Sequence, residues 1–331
     1  MPDLASIVGT VVQPDLFASA IRMATPLALA AIGGTICERS GVVNIALEGL
    51  MLIAAFFGTA VALAVPALGV PAALAPWIGV LGAVLAGVIM SALHGFASIT
   101  LKSDQVVSGT AINILALGLT GFLIQVFYGR TGTTDSAQTL PPLFVFDIHP
   151  TGFVGSLWDW FNGVLLGHTP LVYVTILIAI FAQWAMYRTR WGLRLRALGE
   201  HPRAADTVGI SVTRGRYVAV LMSGALAGLA GANLSLEQVG SFSENMTSGR
   251  GFIALAANIF GRWTPVGSYL ASLLFGFAEA LEIRLQAFID VIKIPPQFFL
   301  MLPYVLTVVV LAGVMGRAVG PAAVGKPYEK E

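Results

Sequence analysis

The 331 residues carry a net charge of +1, with 56% hydrophobic and 11% charged side chains and a mean hydropathy of +0.84. A soluble domain uses about 25% charged residues to cover its surface, so this composition excludes a soluble globular protein and indicates lipid as the main solvent. The small net charge provides no global field for nucleic acid, and no nucleic-acid partner is expected. A single cysteine, Cys37, excludes a disulfide framework and a cysteine-based metal site.

Eight long apolar segments follow one another along the chain. A helix needs about 20 predominantly apolar residues to cross a bilayer. Segments of this kind lie at 16–37, 43–65, 72–96, 106–128, 169–187, 217–237, 265–287 and 295–316. A shorter apolar stretch, 252–261, predicts a half-helix or re-entrant segment. We therefore predict an all-α fold, a polytopic membrane helical bundle of about 8–10 transmembrane segments with at least one broken or half-spanning helix.

The distribution of arginine predicts the orientation in the membrane. Residues 188–216 contain seven arginines against only Glu200 and Asp206, and loops rich in basic residues stay in the cytoplasm. We therefore predict one transmembrane domain over residues 1–331, with a cytoplasmic loop at 188–216 and an extracytoplasmic loop at 129–168. The same rule predicts a cytoplasmic C-terminus from its basic residues, which are Arg317, Lys326 and Lys330. No basic residue precedes Arg22, so the charged region of a signal peptide is missing and we expect the first helix to be retained.

The segment "SGALAGLAGA" (223–232) is typical of close helix packing. Gly224 and Gly228 are four residues apart, and Gly231 follows one turn later. Small residues at this spacing let two helices approach closely in lipid. We interpret them as packing within this chain, with an interface between subunits as the alternative.

A short polar turn, "GEHPRAADTVGI" (199–210), interrupts the apolar chain. Pro202 suits the first turn of a helix and Gly209 suits its end, which predicts a helix of about two turns near 202–208. Such a short helix is marginal in water and needs a packing partner, for which a small apolar face could serve. The residues of that face are Ala204, Ala205 and Val208, with Arg203 and Asp206 left to solvent or a partner. The alternative is a solvated loop.

Four polar residues within apolar segments are candidates for a solute pathway. Asn44 and Glu48 are four apart and share a face if 43–65 is helical, while "ERSG" and Gly41 before them indicate a broken start to that helix. Because ionisable groups are costly in lipid, a pathway or gate role is one interpretation. Internal hydrogen bonding, with Arg39 as a possible partner, is the other. Two further residues are interpreted as hydrogen-bonding contacts between helices or as substrate contacts: Asn113 and Asn258.

Nothing in the sequence predicts a catalytic site. The tail "GPAAVGKP" (320–327) nearly matches a phosphate-binding loop, but Pro327 stands where a Ser or Thr would hold Mg²⁺, and no strand precedes it. The four histidines lie in unrelated segments, so we interpret each as solvated or interfacial rather than catalytic. We therefore expect that this chain is not an enzyme and needs no cofactor of its own.

Three motifs together resemble one family of membrane proteins. The turn "GEHPRAADTVGI", the segment "ERSGVVNIALEGLMLIAAFFG" (38–58) and the segment "GRGFIALAANIFGRWTPVG" (249–267) are similar to elements of the nucleoside-type permeases in the ribose/branched-chain amino acid superfamily of ABC importers. The order and spacing of the elements agree across roughly residues 20–316. This combination is specific, although each motif alone would be weak.

The resemblance implies a role and a set of partners. It implies a permease subunit in the bacterial cytoplasmic (inner) membrane that forms the translocation pathway for a nucleoside-like solute. The implied partners are ABC ATPase subunits that use ATP and Mg²⁺, a second homologous permease, and an extracytoplasmic solute-binding lipoprotein. The short turn then corresponds to a coupling helix that docks into the ATPase. Its implied coupling residues are Gly199, Glu200, Pro202, Arg203, Ala204, Ala205 and Gly209.

Two other functions remain open from the residues alone. A simple sugar is the alternative solute, because the motifs do not fix substrate identity. A stand-alone secondary transporter, driven by an ion gradient with Glu48 as the titrating group, is a less favoured alternative, since such proteins also carry broken helices at the membrane midplane.

Overall fold

The computed structural model describes residues 13–145, 152–286 and 319–329, together with the single positions 295, 298, 301, 305, 308 and 309. Within these residues the regular structure is helical, and a bridge between Thr133 and Ser243 is the only strand-type pairing. The predicted all-α class is confirmed. The first helices are α1 Pro14–Arg39, α2 Leu47–Ala64, α3 Ala75–Gly95, α4 Gln105–Tyr128, α5 Gly152–Leu165 and α6 Pro170–Arg188. The later helices are α7 Arg190–Glu200, α8 Pro202–Thr207, α9 Val212–Ala232, α10 Arg250–Phe260 and α11 Pro265–Gln286.

Three of the helices are extended by turns of a different pitch. A 3₁₀ turn, Val65–Leu68, continues α2, and another, Ala72–Leu74, precedes α3. The π-helical turns Phe96–Thr100 and Asn233–Val239 lengthen α3 and α9. With these extensions the three helical runs cover 22 to 29 residues, which is enough to cross a bilayer.

Seven helical runs in the described residues are long and apolar enough to span a membrane. They are Pro14–Arg39, Leu47–Leu68, Ala72–Thr100, Gln105–Tyr128, Pro170–Arg188, Val212–Val239 and Pro265–Gln286. They confirm seven of the eight predicted segments and make the chain a multi-pass membrane protein. The eighth predicted segment, 295–316, lies outside the described residues apart from single positions.

The predicted half-helix is present as α10. Its 11 residues rise about 16 Å at 1.5 Å per residue, which is about half the hydrocarbon thickness of a bilayer. Gly249, with φ of 86°, turns the chain into its first residue. The helix packs against α1, α2 and α11, and Gly251 in its first turn is buried.

Helix α1 lies at the centre of the bundle, where small residues allow close approach. It contacts α11, α9 and α10. A Cβ atom added at Gly276 of α11 would lie 2.5 Å from the amide nitrogen of Ala24. On α9, a Cβ at Gly228 would lie 2.7 Å from Val84 Cα on α3, and one at Gly231 would lie 2.3 Å from the carbonyl oxygen of Met51 on α2. The glycines of α9 therefore pack within this chain, as predicted.

The connections divide the bundle into two ends. One end, which we call the arginine-rich end, contains α7, α8 and the last residue of α1. Residues 319–329, which we call the tail segment, lie at the same end. The carbonyl groups of Gly199 and Gly41 accept hydrogen bonds from the tail segment. At the opposite end, Trp160 of α5 packs against Phe17 of α1 with ring centroids 6.3 Å apart. The two long loops are thus on different ends of the molecule.

Candidate functional site

The polar turn folds into a separate short helix, α8, and the predicted helix near 202–208 is confirmed over Pro202–Thr207. Pro202 occupies its first turn, where a missing N–H leaves no hydrogen bond unmade. Gly209 ends it with φ of 83°, a left-handed conformation that glycine adopts at little cost. The amide of Gly209 donates to the carbonyl of Asp206 at 2.9 Å.

The apolar residues of α8 do not form the single face that the sequence suggested. Ala205 is 3% exposed and packs with Leu198 and Val212, whereas Ala204 is exposed and Val208 is 74% exposed. The prediction of a shared face is wrong because positions four apart lie together on a helix and adjacent ones do not. Ala204 and Val208 thus face outward, and Ala205 packs against the rest of the protein.

Gly199 and Glu200 connect this helix to the rest of the bundle. A Cβ at Gly199 would lie 2.3 Å from the carbonyl oxygen of Arg39, so only glycine permits this approach of α7 to the end of α1. The carboxylate of Glu200 lies 3.9 Å from the Arg39 guanidinium and accepts a hydrogen bond from the amide of Ala322 at 3.2 Å. Arg203 is exposed on the outer side of α8.

Asn44 and Glu48 lie on either side of a helix start rather than on one helical face. Helix α2 begins at Leu47, so the expectation that they share a face is wrong. The expected broken start is confirmed: the chain between α1 and α2 is non-helical, and Gly41 has φ of 95°. The Asn44 side chain is fully buried and donates to the Ser223 hydroxyl on α9 at 2.8 Å, while its carbonyl oxygen has no partner among the described residues.

Glu48 binds the start of α10. One carboxylate oxygen accepts from the amide of Gly249 at 2.8 Å, and the other accepts from the amide of Gly251 at 2.6 Å. A carboxylate is favoured there because the first amides of a helix have no helical partner and carry partial positive charge. Arg39, the suggested partner, donates instead to the carbonyl of Trp263 at 2.8 Å. Glu48 therefore joins the starts of α2 and α10.

Asn113 and Asn258 both form hydrogen bonds between helices. Asn113 accepts from the amide of Gly49 at 2.8 Å and donates to the carbonyl of Ile45 at 3.0 Å, so α4 supports the start of α2. Asn258 accepts from the Thr35 hydroxyl at 2.7 Å and donates to the Glu38 carboxylate at 2.9 Å. Asn44, Glu48 and Asn113 thus surround one broken start, whereas Asn258 is near the other end of α10.

Several functional candidates escaped the sequence analysis. Glu38 is 5% exposed and accepts from the Trp263 indole at 2.5 Å as well as from Asn258. Arg216 is 2% exposed, although the sequence counted it only as a loop charge. His94 is fully buried, with Nε2 3.0 Å from the carbonyl oxygen of Val43, and His168 is 3% exposed. For these two histidines the expectation of a solvated or interfacial position is wrong.

Comparison with known proteins places these features in a family. The family described as "Branched-chain amino acid transport system / permease component" matches this chain over residues 16–311. The guanosine ABC transporter permease protein NupQ of Bacillus subtilis is 41% identical, covering 99% of each chain. The nucleoside ABC transporter permease protein NupC of Lactococcus lactis is 37% identical over 95% of this chain and 96% of its own.

A third relative is named for a different solute. The putative glucose ABC transporter permease protein TsgC13 of Haloferax volcanii is 34% identical, over 82% of this chain and 78% of its own. The family match extends from the first turns of α1 past the end of α11, and so covers the broken starts of α2 and α10 as well as α8. The chain therefore belongs to the family of branched-chain amino acid transport system permease components, and it is a permease rather than a catalytic subunit.

Proposed function

We propose that this chain is the membrane permease subunit of an ABC importer for nucleosides. The observation that carries the proposal is the likeness to a guanosine permease at 41% identity and a nucleoside permease at 37% identity, each over at least 95% of this chain. The solute class of these relatives is transferred here because the likeness includes both interrupted helices. A simple sugar is the second candidate, favoured by the 34% identical Haloferax relative.

We propose that α8 docks into a separate ABC ATPase subunit, which supplies ATP and Mg²⁺. Three features support this. Ala204 and Val208 point outward, Ala205 holds the helix to the bundle, and Gly199 places α7 directly against the end of α1. A displacement of α8 would therefore be transmitted to α1. In this account Glu200, Pro202, Arg203 and Gly209 shape or present the docking helix.

The proposed orientation places the arginine-rich end in the cytoplasm of a bacterial cell, together with the C-terminus. Arg188, Arg190 and Arg194 are exposed at that end, in keeping with the excess of basic residues on cytoplasmic loops. The opposite end would then meet an extracytoplasmic solute-binding lipoprotein. A second homologous permease would complete the pathway, and α4, the least buried of the seven spans at 22%, has the most surface left for such a partner or for lipid.

We further propose that Asn44, Glu48, Asn113 and Asn258 act as the gate of the pathway by holding the interrupted helices. Each bonds a helix start or a neighbouring helix. Irregular backbone enclosed by protein is where membrane transporters place their movable elements. A change in any of these bonds would shift the balance between open and closed arrangements of α2 and α10.

The proposal is tested by purifying the tagged chain from its native membrane with its partners. We expect an ABC ATPase to co-purify, and we expect the complex in liposomes to accumulate labelled guanosine only when ATP is supplied on the ATPase side. Unlabelled nucleosides should compete with guanosine, and glucose should not. Accumulation by this chain alone under an ion gradient, or competition by glucose only, would contradict the proposal.

A further inference from the structure

The tail segment is hydrogen-bonded to the residues that precede α8 and to the non-helical break between α1 and α2. The amide of Ala323 donates to the carbonyl of Gly199 at 2.8 Å, and the amide of Gly325 donates to the carbonyl of Gly41 at 3.1 Å. The amide of Ala322 donates to the Glu200 carboxylate at 3.2 Å. These bonds fix its path along the arginine-rich end although it contains no helix.

A buried arginine holds the same segment from inside the bundle. Arg216 of α9 donates through Nε to the carbonyl of Ser40 at 3.2 Å and through Nη1 to the carbonyl of Lys326 at 3.0 Å. A buried guanidinium is costly unless it is hydrogen-bonded, and these two bonds offset part of that cost, while Nη2 has no partner among the described residues. At the other end of the segment, a Cβ at Gly320 would lie 3.1 Å from the Trp263 ring. The tail segment is therefore a fixed part of this surface.

Its glycine–lysine motif has no phosphate-binding geometry. A phosphate loop needs free backbone amides, but those of Ala323 and Gly325 already donate to carbonyl groups. The hydrogen bonds instead keep the segment beside α8.

Between α8 and the tail segment lies a cleft of about 810 Å³. Small side chains line it on both sides, Ala204 from α8 and Ala322 from the tail segment. Charged side chains of both signs surround them, namely Arg203, Lys326 and Glu329. A charged lining does not suit lipid tails, and polar, solvent-accessible residues occur at the rims of protein–protein interfaces.

We propose that the tail segment is the second wall of the ATPase-docking surface, so that the ATPase subunit enters this cleft and contacts α8 and the tail segment together. The inference rests on the proposed function. Helix α8 has only six residues, whereas a stable protein contact uses about 20–30 residues on each side. The docking surface must therefore extend beyond α8, and the tail segment adjoins α8 at a fixed distance from it. Through Gly41 it also connects that surface to the break that leads to Asn44.

Site-directed photo-crosslinking in the intact permease–ATPase complex tests this inference. The only native cysteine, Cys37, is fully buried, so a cysteine introduced at the surface can be labelled selectively with benzophenone maleimide. The variants are Lys326→Cys in the tail segment, Ala204→Cys on α8, and Arg194→Cys as a control that is exposed on α7. Glu329→Cys is a second tail variant, should Lys326→Cys fail to assemble.

We expect a shifted permease–ATPase band from Lys326→Cys and Ala204→Cys, and none from Arg194→Cys. An adduct from Ala204→Cys with none from either tail variant would overturn the inference and leave the proposed function intact. Absence of all adducts in a complex that contains the ATPase would overturn both the tail contact and the docking role of α8. An equally strong adduct from Arg194→Cys would also overturn the inference, because the contact would then not be specific to the cleft.

Discussion

At the residue scale, Glu48 is the most informative side chain of the candidate site. Its two carboxylate oxygens accept the amides of Gly249 and Gly251 at 2.8 and 2.6 Å. This close contact requires glycine at position 251, because a Cβ there would lie 2.4 Å from Glu48 Cα. One side chain thus joins the start of a spanning helix to the start of a half-spanning helix.

Replacing Glu48 by alanine should destabilise the protein. Two hydrogen bonds to a charged acceptor contribute about 1.5–3 kcal/mol each, so we expect the Glu48→Ala variant to lose about 3 kcal/mol or more and to melt at a lower temperature in detergent. The matched control is Glu244→Ala, because Glu244 is exposed and accepts one amide, that of Gly132, at 3.0 Å. Equal melting temperatures for the wild type and Glu48→Ala would contradict the structural role of Glu48.

The sequence located these polar residues within apolar segments but did not predict their contacts. A carboxylate and amides in apolar segments indicated an internal polar site, because such groups are costly in lipid. The partners come from elements more than 60 residues away in several cases, such as Asn113 for Gly49 and Gly249 for Glu48. No local spacing rule contains such pairings, and this is why Arg39 was a wrong suggestion for Glu48.

At the element scale, two neighbouring alanines of α8 have different environments, since one packs against the bundle and the other is exposed. Ala205 is packed against Leu198 and Val212, and Ala204 is exposed beside it. The Pro202 start and Gly209 end were predictable because their backbone preferences are local. Which alanine faces the bundle was not, because it depends on how α7 and α9 hold the helix.

The two alanines of α8 should respond differently to the same substitution. Ala205→Arg places a large charged group in a packed apolar site, which costs several kcal/mol, so we expect lower yield and an earlier thermal transition in detergent. Ala204→Arg, on the exposed side, should change the free energy of unfolding by no more than about 0.5 kcal/mol. A similar loss of stability in both variants would show that the assigned orientation of α8 is wrong.

The contact between α2 and α9 depends on the absence of a side chain at Gly231. A Cβ there would lie 2.3 Å from the carbonyl oxygen of Met51 and 2.7 Å from the amide of Ala55, both of them backbone atoms. We expect Gly231→Ala to lose about 1–3 kcal/mol through overpacking. In Gly118→Ala, where the added atom meets open space, stability should be unchanged or slightly higher because alanine favours helix. Thermal unfolding of the pair in detergent decides this, and an equal response would contradict the close packing.

At the scale of the whole molecule, the apolar segments predicted most of the helical architecture. Seven segments and the half-helix were located because a bilayer fixes helix length and composition. The central position of α1 and the approach of α10 to the break between α1 and α2 were not predictable, since both depend on packing between distant segments. The attachment of the tail segment was not predictable, because backbone hydrogen bonds to Gly199 and Gly41 leave no pattern in the side chains.

The central claim is that ATP hydrolysis in a partner drives solute through this chain by way of α8. The most direct measurement is ATP-driven guanosine uptake into liposomes containing the purified complex, with wild type, Ala204→Arg and Ala204→Ser compared. Ala204→Ser keeps a small side chain at the same exposed position and provides the matched control. The account predicts uptake that requires ATP for the wild type and Ala204→Ser, and loss of uptake for Ala204→Arg in a permease that remains folded in the membrane. Undiminished uptake by Ala204→Arg, or uptake by the wild type without ATP, would contradict it.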